Sequence, residues 1–436
     1  MLKNLIKFTG LVGGATLLAG PAMAEVSSET AYVFNTFLFL VCGFLVMFMA
    51  AGFAMLESGM VRSKNAATIC LKNISLFSIA GLMYWLVGYN LMYGVEEGGY
   101  VGAFFDIWSA DDIAIAAEEA DFLGGYASGS DWYFQMVFCA TTASIVSGTV
   151  AERMKLWPFL IFTLFLTGFI YPIVGGWEWG TGWLDAMGFS DFAGSTLVHS
   201  TGGWAALAGA VILGARTGKY GPDGSVNPMP GSSMPLATLG AFILWLGWFG
   251  FNGGSQLALG SGADAAAISN IFINTNMAAA SGVVAAMLVS TALYGKVDLT
   301  MALNGAIGGL VSITAEPLTP SIGAAVFIGA VGGVLVVIAV PLLDKFKIDD
   351  VVGAIPAHLV CGIWGTLIVP LTNSDATYGV QAIGVVSVGI FTLIASGILW
   401  SILNATIGIR ISEEEEMAGL DKSELGMEAY PDFSRS

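Results

Sequence analysis

Charged side chains are what this chain has least of. Asp, Glu, Lys and Arg make up 11% of its 436 residues, while 56% are hydrophobic. Soluble domains carry roughly a quarter charged residues, so a soluble fold is excluded and an integral membrane protein is indicated. Basic residues are the scarcer sign: 15 Lys and Arg face 32 Asp and Glu, a formal net charge of −17 that argues against nucleic acid as a partner. The four cysteines (Cys42, Cys70, Cys139 and Cys361) all sit in apolar segments. They are not spaced as a disulfide framework or a metal site. No nucleophile–base pair, phosphate loop or dinucleotide fingerprint is present, so neither an enzyme nor a cofactor is expected. Histidine is rarest of all, with two residues, His199 and His358.

What is present is a succession of long apolar segments. Met1–Ala24 reads as a signal peptide, with Lys3 and Lys7 at a basic start, a short apolar run, and small residues before Glu25; an uncleaved extra helix is the alternative. Eleven spans follow, at about 31–56, 66–88, 131–150, 156–174, 196–214, 234–252, 267–291, 299–313, 320–340, 353–369 and 378–404. The eighth is short for a crossing, since a helix rises about 1.5 Å per residue and the bilayer core is about 30 Å thick. The chain's 58 glycines suit closely packed membrane helices.

Charge orients the spans. Arg62, Lys64, Lys72, Arg153, Lys155, Arg216, Lys219, Lys296, Lys345, Lys347 and Arg410 all fall on one side. The opposite loops have no basic residue, and with Asp106, Asp111, Asp112, Glu118, Glu119, Asp121 and Asp131 the long 89–130 loop is wholly acidic. The positive-inside rule then puts the mature N-terminus outside and the C-terminus in the cytoplasm. His199 in the fifth span and His358 in the tenth divide the chain into five-span halves of opposite orientation, 25–214 and 215–369. An eleventh helix (370–404) and a cytoplasmic tail (405–436) follow. Such inverted repeats form transport sites at their interface. Gly52-Phe53-Ala54 and Gly250-Phe251-Asn252 are a weak echo between the halves.

Histidines inside membrane spans are costly unless they face a cavity or a partner. Metal ligation lacks further ligands here, and two unrelated structural histidines remain an alternative. The third reading is a pair on a shared path, passing a ring hydrogen bond and exchanging a proton with a small solute. Asp191, before the fifth span, reads as a helix cap or as a cation ligand. Trp179, in GGWEWGTGW, reads as an interfacial anchor or as an aromatic face for a cation. Phe134 and Phe138 lie one turn apart on one helix face. Phe251 lies in the Gly-rich WLGWFGFNGGS, where Ser255 offers a hydroxyl; core or lipid-facing packing is the plain reading of these phenylalanines. Glu57, Asn65 and Asn73 place polar groups near the inner ends of the first two spans, where helix-to-helix bonding is the default.

The chain resembles the ammonium transporter (Amt/MEP/Rh) family, in its bacterial Amt branch. The likeness rests on GFAMLESGMVRSKN, DWYFQMVFCATTASIVSGTVAERMK, DFAGSTLVHSTGG, WFGFNGGS, IDDVVGAIPAHLVCGIWG and the tail GLDKSELGMEAY, and it spans residues 31 to about 430. It implies an all-α protomer of eleven helices on a five-plus-five inverted repeat, assembled as a homotrimer in the inner membrane with one pore per subunit. Trp179, Phe134 and Ser255 would recruit ammonium, Phe138 and Phe251 would form a stacked gate, and His199 and His358 would be the pore histidines. Asp191 and Trp248 would support the site. Ammonium would be deprotonated, ammonia would cross, and the proton would travel separately by the histidines, giving electrogenic uptake. Methylammonium is a further substrate the likeness allows. Two departures stand out: Gly353 and Ile355 replace an acid and an aromatic of the family pattern DDxxDxFxxHxxxG, and the tail reads Leu425-Gly426-Met427 in place of HGE. The second weakens the implied binding of a PII-type regulator.

Two other functions compete. An ammonium sensor would use the same pore for binding, although sensors of this family usually carry an output domain after the last span. A channel for another small solute, such as carbon dioxide, is less consistent with an aromatic, hydroxyl-bearing outer site that suits a cation.

Overall fold

The computed structural model describes residues 26–433 apart from 105, 111–121 and 123–124. The signal-peptide reading of 1–24 and the central acids of the 89–130 loop therefore lie outside the described residues. Each apolar segment read from the sequence is helical. In chain order they are α1 (Ser28–Met60), α2 (Ser63–Tyr93), α3 (Ser128–Thr149), α4 (Leu156–Gly176), α5 (Ser195–Leu213), α6 (Met234–Gly254), α7 (Gly262–Tyr294), α8 (Leu299–Ile313), α9 (Ile322–Lys345), α10 (Ile355–Leu371) and α11 (Tyr378–Thr406). Eight of them, all but α3, α8 and α10, are long and apolar enough to cross a membrane. No β-sheet forms among the described residues; two isolated bridges are the extent of strand pairing.

Local chemistry sets where helices begin. Side chains of Ser27, Ser233, Ser261, Asp298, Ser321 and Thr377 each accept from a first-turn N–H of α1, α6, α7, α8, α9 and α11. Such caps satisfy backbone donors that a helix leaves unpaired. Two helices are interrupted by a π-helical turn, α2 at Tyr84–Gly88 and α4 at Leu166–Ile170, and two begin with one, α5 at Ser195–Ser200 and α10 at Ile355–Val360. The last two carry the histidines, and π turns are frequent at functional sites.

The burial pattern is that of a membrane protein. Along α11, Ile383, Val386, Ile390, Ile394, Ile398 and Ile402 are exposed, whereas Gln381, Thr392 and Ser396 are buried. A helix facing water has the opposite arrangement; here the apolar stripe faces lipid. With its several apolar helices, the chain is an all-α, multi-pass membrane protein.

One end of the bundle is closed by charge. Glu152, in the α3–α4 turn, accepts from the Arg62 backbone N–H at 2.6 Å and from its Nε at 2.7 Å, and pairs with Arg216 at 3.2 Å. Arg216 donates from Nε and Nη2 to the two oxygens of Asp349 at 2.8 and 2.9 Å, and Arg153 donates to the Asp349 carbonyl at 2.6 Å. The tail joins this end. Lys64 donates to the carbonyls of Glu416 and Met417, Glu416 accepts from Thr217, and Asp421 accepts from the N–H groups of Ala67 and Thr68 at the start of α2.

Burial alone would raise the carboxyl pKa values of Glu152 and Asp349, but the guanidinium of Arg216 outweighs it and holds both below their ordinary range. Carboxylates depressed in the folded state stabilise it above their unfolded pKa, and that contribution is lost as pH falls through the folded value. The melting temperature of detergent-solubilised protein is therefore expected to be level from neutrality to mild acid and to fall below about pH 4. At neutral pH, Asp349→Asn leaves Arg216 short of its buried partner and is expected to cost about 3–5 kcal/mol. Asp264→Asn, on an exposed helix start, serves as the control and should cost little.

Candidate functional site

Asp191 organises the start of α5. It is fully buried, and its two oxygens take four backbone N–H groups: Gly194 and Ser195 at 3.1 and 2.7 Å, Thr196 and Leu197 at 2.8 and 2.9 Å. Both oxygens are committed to the first turn of α5, which is the geometry of a cap. The Asp191 N–H donates to Glu178 at 2.7 Å, and its carbonyl accepts from Trp179 Nε1 at 3.1 Å. One residue thus fixes both the Trp179 loop and the entry of α5. Burial, with the Asp191 carboxylate beside it, holds the Glu178 carboxyl well above the usual range.

Above α5 lies a cavity of about 490 Å³, open to the outside and lined by Phe134, Phe138, Trp179, Ser255, Asp131 and Glu178, among others. Ser255 Oγ donates to the Phe251 carbonyl at 2.9 Å, so its lone pairs remain as acceptors. The floor is aromatic. Phe138 and Phe251 stack at 4.0 Å between centroids, Phe134 meets Phe138 edge-on at 4.8 Å, and Trp179 meets it edge-on at 6.1 Å.

Beneath Phe251 lie the histidines. The His199 ring is 5.2 Å from Phe251 and stacks on Trp248 at 4.9 Å; Trp248 is itself held by Thr314 Oγ1 at 2.8 Å. The Nδ1 atoms of His199 and His358 are 3.2 Å apart. A contact of that kind requires one protonated and one bare nitrogen. His199 Nε2, though buried, has no hydrogen-bond partner among the described residues. The helices meet this closely because Gly203 lies against the Leu359 backbone, where an added Cβ would come within 2.8 Å of its nitrogen.

The structure brings together the residues the likeness assigned to the site: Trp179, Phe134 and Ser255 line the cavity, Phe138 and Phe251 lie beneath it, then His199, His358 and Trp248, with Asp191 bracing α5. Three features were not read as parts of the site. Asp131, paired with Tyr89 and Gln135, adds an acid to the outer cavity. Phe53 tilts over His358 at 6.2 Å. Both histidines also belong to one repeated pattern, D-x2-G-x4-H, as DFAGSTLVH (Asp191 to His199) and DVVGAIPAH (Asp350 to His358). Asp350 accepts from Ile355 N–H at 2.7 Å as Asp191 does in its own turn, and Gly194 and Gly353 have φ of 103° and 79°, where glycine is favoured. Gly353, a departure from the family pattern, is thus the counterpart of Gly194. Asn304 supports that stretch by donating to the Val352 carbonyl at 3.0 Å.

A bundle of apolar helices that encloses stacked aromatic rings and a buried histidine pair is the build of a multi-pass membrane protein. Residues 37–430 match the Ammonium Transporter Family. The Amt2 ammonium transporter of Archaeoglobus fulgidus is 39% identical, covering 96% of this chain and 93% of its own. A putative ammonium transporter of Synechocystis is 40% identical over 94% of this chain and 93% of its own. Among solved structures, one titled Sensor Amt Protein superposes with a TM-score of 0.85 at 37% identity, over 91% of this chain and all of that one. Candida albicans Mep2 superposes at 0.79 and 27% identity, over 93% and 92%. The chain belongs to the Ammonium Transporter Family. Its members are transporters and not enzymes, and the chain is a multi-pass protein of the inner membrane.

Removing the brace is expected to be costly. Asp191→Ala orphans four buried N–H groups and should lose at least about 3 kcal/mol, Asp191→Asn less because one acceptor oxygen remains. Melting temperatures in detergent should rank parent above Asn above Ala.

Proposed function

We propose that this protein takes up ammonium by recruiting the cation in the outer cavity, removing its proton, and passing ammonia across the path while the proton moves separately through His199 and His358. Trp179, Phe134 and Ser255 form the recruiting site, offering aromatic faces and a hydroxyl oxygen to a cation. Phe138 and Phe251 are the gate. The observation that carries the reading is the 3.2 Å contact between ring nitrogens of two buried histidines directly beneath that gate. Paired imidazoles can relay a proton, and neither offers a bare metal cation the oxygen shell it would have to leave behind. Potassium, which cannot shed a proton, would pay its full desolvation cost.

The surrounding architecture follows the same reading: eleven crossings, N-terminus outside and C-terminus in the cytoplasm, and halves 25–214 and 215–369 related as an inverted repeat. The helix at 370–404 and the tail at 405–436 complete the chain, after cleavage of 1–24. Homotrimeric assembly with one path per subunit, transport of methylammonium, and docking of a PII-type regulator at the tail belong to this proposal. The repeated D-x2-G-x4-H turns support the inverted repeat, and the gathering of Arg62, Arg153 and Arg216 at the tail end supports the orientation.

A second reading, a sensor using the same path for binding, is favoured by the solved structure titled Sensor Amt Protein. Currents from reconstituted protein on a solid-supported membrane separate the two. Transport is expected to give current with ammonium pulses and none with potassium, and His199→Ala with His358→Ala should abolish that discrimination or the current itself. Ammonium binding by folded protein without any current would favour the sensor.

A further inference from the structure

The repeat that relates the histidines extends to the helices covering them. Phe251 of α6 lies over His199 at 5.2 Å, and Phe53 of α1 lies over His358 at 6.2 Å. One helical turn beyond Phe251 is Ser255, which lines the outer cavity; one turn beyond Phe53, at the same four-residue spacing, is Glu57. Glu57 lines a second, small cavity on the other side of the pair with Phe53, Ser144, Asn304, Val352 and His358. Its volume is about 10 Å³, room for about one water.

The side chain is held on one face and open on the other. Glu57 is 1% exposed. Oε2 accepts from Ser147 Oγ at 2.8 Å and from Asn73 Nδ2 at 3.3 Å, while Oε1, buried, has no partner among the described residues. Behind it Lys72 donates to the Ser147 carbonyl at 2.8 Å and lies 4.4 Å above the Phe159 ring. Buried carboxylates in membrane spans are costly unless they face a partner or a cavity. This one keeps an oxygen for the compartment it shares with His358.

We propose that Glu57 is the proton-exit residue of the path, taking up through one bridging water the proton that leaves His358 and releasing it at the basic end of the bundle. The inference rests on the transport reading above. Ammonium gives one proton to His199 Nε2 and continues as ammonia. The His199 Nδ1 proton passes to His358 Nδ1, the His358 Nε2 proton passes through water to Glu57 Oε1, and Glu57 then loses it to cytoplasmic water. Each group regains its starting charge, and one proton and one ammonia have crossed; both imidazoles are left as the opposite tautomer and must return, by turning of the rings or exchange with water, before the next ammonium can give up its proton.

Glu57→Gln keeps the shape and the acceptor oxygen for Ser147 but cannot carry the proton. In proteoliposomes it is expected to lower the ammonium-evoked current about 10- to 100-fold. Ammonia entry, followed by an internal pH dye under an imposed ammonia gradient, should stay within about twofold of the parent, because the bore is unchanged. Glu57→Asp should restore part of the current, and Ser147→Ala, which removes a bond but no proton carrier, should keep it. If Glu57→Gln does not fold, infrared difference spectra of the parent decide: ammonium pulses should give a protonated-carboxyl signal that shifts in Glu57→Asp, and its absence contradicts the assignment. A Glu57→Gln current equal to the parent's overturns the exit role while leaving transport intact. Loss of current and ammonia entry together shows a structural role and overturns it as well. A parent without ammonium current overturns the transport reading, and this inference with it.

Discussion

The contact between the two Nδ1 atoms of His199 and His358 is the constraint on which the rest of the structure depends. Two imidazoles buried in a low-dielectric interior, with no carboxylate bonded to either, hold together only if backbone and side chains place them to within a few tenths of an ångström. Placement comes from paired turns. Asp191 and Asp350 each gather N–H groups of an unwound helix start, Gly194 and Gly353 supply the left-handed conformation before it, and each π-helical turn delivers its histidine to the centre. Aromatic rings then cover the pair: Trp248 and Phe251 on one side, Phe53 on the other.

Polarity is distributed to match. A membrane interior penalises unpaired polar groups, so most of those present are bonded, and a minority of buried ones are left without a partner among the described residues. Asp191 belongs to the first kind, with every carboxylate oxygen taken by backbone. His199 Nε2 and Glu57 Oε1 belong to the second, each buried and each unpartnered among the described residues. They lie on opposite sides of the imidazole contact, as an entry and an exit for a proton would. Among the described residues the salt bridges lie at the tail end, where Arg216, Glu152 and Asp349 tie together turns distant in sequence.

Much of this was legible in the residues because membranes write long signals. Apolar runs of twenty or so residues located the helices to within a few positions, and the rarity of histidine made His199 and His358 conspicuous. The phenylalanines were ambiguous by themselves, since Phe138 and Phe251 come from different helices and nothing local reveals a 4.0 Å stack. The repeated D-x2-G-x4-H was in plain view but masked by unlike apolar residues between its fixed positions. The π turns escaped because one inserted backbone residue leaves no mark in an all-apolar segment. Glu57 read as a helix-to-helix bond for the same reason: burial and open valence are properties of the packed state. Gly353, which looked like lost support, sits at the positive φ that the turn requires.

Because the chain has only two histidines, ring-nitrogen NMR of protein labelled at histidine reports on that contact without overlap. At neutral pH, with no ammonium added, the expected spectrum contains one protonated and one bare Nδ1, joined by a coupling through the shared hydrogen. Two uncoupled rings, each with its Nδ1 bonded elsewhere, would contradict the account, because a proton could not then pass between them.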